Sequence, residues 1–135
     1  MRRRLSLAVG SIGLILAVAP AQAHHWFAAE FDANKSVTLH GVVTRVEWTS
    51  PHTWIHMDVK GSDGEPVKWM IESATPAYLF RVGLTKDALP VGTDIVVEGF
   101  RSKDGANRAG GKELTLPDGR KLLLGVPRDL GAQSQ

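Results

Sequence analysis

The chain has 135 residues, with 16 lysines and arginines against 14 aspartates and glutamates, five histidines and no cysteine. Lack of cysteine excludes disulfides, thiol catalysis and cysteine-ligated zinc, and the length suits one small domain held together by its core alone. The formal net charge of +2 is concentrated at one end, because Arg2, Arg3 and Arg4 are contiguous.

Those arginines are followed by an apolar run from Leu5 to Ala19 and by Ala21 and Ala23 in an A-x-A spacing. This order predicts an export signal, cleaved after Ala23, and hence a periplasmic protein. The apolar run falls short of the roughly 20 residues needed to cross a bilayer, and no later segment approaches that length, so no transmembrane segment is expected in the mature chain. Removing residues 1–23 subtracts three from the 16 basic residues and none from the 14 acidic ones, leaving 13 against 14 and a net charge of −1. A near-neutral chain lacks the positive field that holds phosphates, so no nucleic-acid partner is expected.

The expected organisation is a signal at 1–23, an N-terminal segment at 24–36, a β-barrel at 37–125 and a flexible tail at 126–135. The β-branched stretch from Val37 to Trp48 predicts a long strand, with Gly41 permitting a bulge. From Thr53 to Val59, period two puts Ile55, Met57 and Val59 on one face and Trp54, His56 and Asp58 on the other. After a turn from Gly61 to Pro66, Val67, Trp69 and Ile71 continue the inward face, while Lys68, Met70 and Glu72 point outward. Thr75-Pro76 then starts a short helix carrying Tyr78, Leu79 and Val82, stopped at Gly83. Gly92 to Phe100 reads as a strand and Lys103 to Gly111 as a polar loop. Leu114 to Leu124 reads as two strand pieces around Pro117-Asp118-Gly119. The predicted fold is all-β, a five- to six-stranded barrel resembling the oligonucleotide/oligosaccharide-binding (OB) type, with one helix between the third and fourth strands. A lipocalin-like barrel or a sandwich would want more strands than this length provides.

Several local patterns occur together: His24-His25 at the mature start, Glu30-Phe31-Asp32, Gly41-Val42-Val43, Val46-Glu47-Trp48, Pro51-His52, then Trp69 and Glu72. In these the chain resembles the exported bacterial protein family of unknown function, DUF family 6152, from about His24 to Leu124. Ser50 stands where that pattern suggests asparagine. The resemblance implies an exported single domain and carries no catalytic residue across.

The chemistry that stands out is at the new N-terminus. His24 offers an α-amine and a ring nitrogen to one ion, with a third nitrogen from His52 or His56 after folding. His25 offers a different chelate through the amine, the intervening backbone nitrogen and its own ring. Tetragonal nitrogen ligation and the order of divalent affinities make copper(II) the expected cofactor if a metal is bound. The alternative is a solvated terminus.

Pro51 and His52 lie in the loop between the first two strands, where Pro51 restrains the backbone and aims His52 either at a ligand or at loop backbone groups. His56 lies beside Trp54 and Asp58, with Met70 or Glu72 as a cross-strand neighbour. Glu47, Asp58 and Glu72 are the carboxylates to weigh for acid–base work, and Ser50 with His52 for a nucleophile, but spacing pairs none of them. The sequence therefore leads to a non-catalytic exported binding protein, with copper(II) as the most specific ligand. A metal-free interaction module is the alternative, presenting Pro51, His52, Trp54 and Glu72 to a saccharide or an envelope protein.

Overall fold

The computed structural model describes residues 27–125. The signal with Ala21 and Ala23, the pair His24 and His25, Trp26 and the 126–135 tail lie outside those residues.

Alternation builds the inner wall. Ile55 and Met57 are buried while Trp54, His56 and Asp58 stay half-exposed, and Trp69 and Ile71 are buried between exposed Lys68 and Met70. These runs form β2 (Trp54–Lys60) and β3 (Pro66–Glu72), paired antiparallel with Met57 opposite Trp69. Before them, β1 (Phe31–Glu47) pairs with β2 on one edge and with β4 (Asp94–Ser102) on the other. β5 (Arg108–Thr115) follows β4, and β6 (Lys121–Leu123) extends the sheet beyond β5. A parallel contact of β3 with β5, Met70 to Glu72 against Arg108 to Gly110, closes β1, β2, β3, β5 and β4 into a ring. This partly open five-stranded ring is OB-like.

The helix expected between the third and fourth strands is present as α1 (Pro76–Arg81). Thr75 caps it, its Oγ1 accepting from the Tyr78 N–H at 3.2 Å, and Pro76 occupies the first turn, where a missing N–H costs nothing. Leu79 is fully buried and joins α1 to the main core of Val43, Ile55, Ile71, Val97 and Leu114. Gly83, with φ at 99°, ends the helix in the left-handed region.

Three expectations change. β1 starts at Phe31 rather than Val37, with a register irregularity between Phe31 and Ser36. The polar loop stops at Asn107, because Arg108 to Gly111 are strand. Close packing demands the glycines there: a methyl group on Gly99 would lie 2.3 Å from the Gly110 carbonyl oxygen, and one on Gly111 would lie 2.5 Å from Leu124. Finally Glu72, expected to point outward, is 2% exposed. It is the last residue of β3 and pairs with Gly110, which lies directly under Phe27 and Phe31. These rings form a second cluster with Phe100, centroids 5.5 Å (Phe27–Phe31) and 5.4 Å (Phe27–Phe100) apart. The cluster covers this end of the sheet.

Candidate histidine–carboxylate site

The loop from β1 to β2 is fastened at both sides of His52. Thr49 Oγ1 donates to the His52 carbonyl at 2.9 Å, and Thr53 exchanges backbone bonds with the segment after β3: Thr53 N–H to Ala74 O at 3.0 Å and Ser73 N–H to Thr53 O at 2.9 Å. This brings the His52 ring to the end of β3, where Nδ1 lies 2.8 Å from Glu72 Oε1. Burial lowers the His52 ring below the ordinary histidine value, and the nearby Glu30 carboxylate opposes that shift. In its neutral form the ring donates Nδ1–H to the carboxylate, which places the lone pair on Nε2. A carboxylate fixing the tautomer of a histidine in this way is the usual support behind a metal-ligating imidazole.

Glu30 belongs to a helical turn at 27–30 that the β4–β5 hairpin holds in place. Lys103 N–H donates to the Glu30 carbonyl at 2.9 Å, Lys103 Nζ donates to the Ala28 carbonyl, and Arg108 Nη2 lies 3.4 Å from Glu30 Oε2. Arg108 also lies over the Phe31 ring, 5.7 Å from its centroid. The turn is therefore fixed by aromatic packing below and by ionic and backbone contacts at the side.

A second pair lies across β1 and β2. His56 Nε2 lies 2.9 Å from Glu47 Oε2 and 3.2 Å from Arg45 Nη2, and the same Arg45 nitrogen lies 3.1 Å from Glu47 Oε1. One ring nitrogen cannot donate to Glu47 and accept from Arg45 at once, so these contacts belong to alternative states of the imidazole. The hydrogen bond from His56 holds the Glu47 carboxyl below its ordinary value, with Arg45 acting in the same direction.

The structure thus joins His52 to Glu72 and separates both from His56, which goes to Glu47 and Arg45. Met70 is the direct cross-strand partner of His56, whereas Glu72 pairs with Trp54. Pro51 is exposed and Trp54 half-exposed. Ser50 makes no hydrogen bond to His52 among the described residues, which leaves the nucleophile reading without geometry. No three histidine, aspartate or glutamate side chains among the described residues gather around one point suited to a metal ion. Sequence reasoning passed over Arg45 and the role of Glu30. The skipped register at Thr44, between Val43 opposite Met57 and Arg45 opposite His56, is what aims Arg45 at its partners.

A family model described as a family of unknown function, DUF6152, matches residues 13–112, a span containing both histidine–carboxylate pairs. The chain belongs to that family. No curated protein matches the chain.

Proposed function

We propose that this chain is an exported, non-catalytic binding protein of the periplasm, whose ligand is copper(II) held by His24 through its amine and ring and by His52 through Nε2. The carrying observation is the 2.8 Å contact from His52 Nδ1 to the buried Glu72, which orients the ring for ligation through its other nitrogen. Connectivity supports the same set. Phe27 packs on Gly110, Gly110 pairs with Glu72, and Glu72 holds His52. His24 is three residues upstream of Phe27, about 10 Å of extended chain at most. An α-amine titrates near 8, so at neutral pH copper displaces a proton from a group already partly deprotonated. When bound, copper would supply Lewis acidity and a redox-active centre. His56 is left out of the set, because the Arg45 guanidinium beside its Nε2 opposes a second cation.

The test is copper(II) titration, with electron paramagnetic resonance, of protein purified from the periplasm after processing. One equivalent bound through nitrogen, weakened by His52→Ala and by an added N-terminal methionine, is the expected result. Affinity unchanged by both overturns the reading. The metal-free alternative, a saccharide or protein interaction module, is favoured by half-exposed Trp54 standing between Glu47 and Glu72 in register. An aromatic face beside the half-exposed Glu47 carboxylate suits sugar hydroxyls, while Glu72 is closed to them by burial. It would be recognised by saccharide-dependent quenching of Trp54 in protein that takes up no copper.

A further inference from the structure

A groove of about 330 Å³ runs over the outer face of β1, β2 and β3, beside the Arg45–His56 contact. Arg45, His56 and Lys68 line it, with Thr44 and Met70, and among the described residues no carboxylate does, Glu47 contacting Arg45 and His56 from outside the lining. Two permanent cations and an imidazole therefore share one recess in a chain whose mature net charge is expected to be −1. Arg45 reaches Glu47 and His56 through Nη2 alone, and its side chain is 61% exposed. Its Nε and Nη1 make no hydrogen bond or ion pair among the described residues, so three of the five guanidinium donors are left for a ligand. Lys68 stands opposite Asp58 in register yet forms no ion pair among the described residues. Met70, 37% exposed, adds an apolar wall.

We propose that this groove binds a small organic carboxylate, with the Arg45 fork and Lys68 Nζ on the carboxylate and the apolar body of the ligand against Met70. Glu47 holds the guanidinium by one corner, so its orientation is set before the ligand arrives. Arginine suits this task because its planar fork matches a carboxylate through two parallel hydrogen bonds. The volume is at the lower end of small-molecule pockets, which limits the ligand to a single ring or a short chain. Nothing in this site depends on the copper reading.

The experiment is a titration of the mature protein with benzoate, and separately with inorganic phosphate, followed by backbone amide shifts in nuclear magnetic resonance. Benzoate should move the amides of Arg45, His56, Lys68 and Met70. The double variant Arg45→Gln/Lys68→Gln should weaken it about tenfold or more while leaving the remaining spectrum folded. Met70→Ser should weaken benzoate and leave acetate unchanged. Benzoate shifts that scatter over the surface, or that persist in the double variant, overturn the site. Phosphate binding as tight as benzoate overturns the carboxylate assignment, since it would leave Met70 without a role.

Discussion

His52–Glu72 and His56–Glu47 place nitrogen and oxygen at nearly the same separation, 2.8 and 2.9 Å, in opposite surroundings. The Glu72 side chain is 3% exposed and that of Glu47 is 37% exposed. In the first pair burial dominates and lowers the histidine; in the second the hydrogen bond dominates and lowers the carboxylate. Arg45 adds a third charge to the exposed pair, whereas the buried pair stands beside Glu30, itself held by Arg108. Near-equal contact distances therefore conceal different chemistry: His52 is oriented by a buried carboxylate, whereas His56, itself 17% exposed, meets a half-exposed carboxylate shared with Arg45.

Removing the carboxylates should separate the pairs most sharply. Glu72→Ala leaves the half-buried His52 donor without its acceptor and should cost about 1–3 kcal/mol in urea denaturation, in the range for a polar group left unpaired. Glu72→Gln, which retains an acceptor oxygen, should cost less. If Glu72→Ala is no worse than Glu47→Ala, the claim that burial distinguishes the two pairs is wrong.

Copper affinity is the next contrast. On the proposed ligand set, Glu72→Gln loosens the orientation of His52 and should weaken copper(II) about 10- to 100-fold, as loss of a supporting carboxylate does at other metal sites. Glu47→Gln should change it less than about threefold, because its partner His56 is not a ligand. Equal losses in the two variants would show that His52 is not the distinguishing ligand.

Much of the barrel was legible because it is local. Period two in Thr53 to Val59 and Val67 to Ile71 reports which side chains face the core, and Thr75-Pro76 reports a helix start through a cap and a missing donor. Glu72 was misjudged because alternation reports the side of a strand, and what covers that side comes from elsewhere: Gly110 in β5 and the rings of Phe27 and Phe31. Gly110 and Gly111 read as loop by composition, yet they are strand residues, packed against Phe27 and Phe31 at Gly110 and against Leu124 and Ile71 at Gly111. The Arg45–Glu47–His56 cluster depends on a skipped register at Thr44, which no local period carries.

The pH response should divide the pairs into two windows, with stability lost as pH falls in both. His52 has a folded value below its ordinary 6.5, so the unfolded chain binds its proton first as pH falls. Stability should therefore be highest above 6.5 and fall as pH drops from there through the lowered folded value. His52→Gln should flatten the melting temperature across that window. Glu47 contributes stability above its ordinary 4.5, lost only as pH falls through its lowered folded value. Glu47→Gln should thus leave the window near 6 unaltered and act in stronger acid. A His52→Gln profile that still slopes like the parent between pH 5 and pH 7 would remove His52 as the titrating group.

The smallest effect is the most specific to exposure. Ion pairs open to solvent contribute little to stability, and in 1 M salt the screening length of about 3 Å removes most of that. The stability difference between the parent and Glu47→Ala should therefore shrink toward zero at 1 M sodium chloride, while the Glu72→Ala difference persists because salt does not reach a side chain 3% exposed. Persistence of the Glu47 difference at high salt would mean that Arg45, Glu47 and His56 are shielded from solvent. The groove beside them would then be a closed site, and anions would enter it only by displacing part of that network.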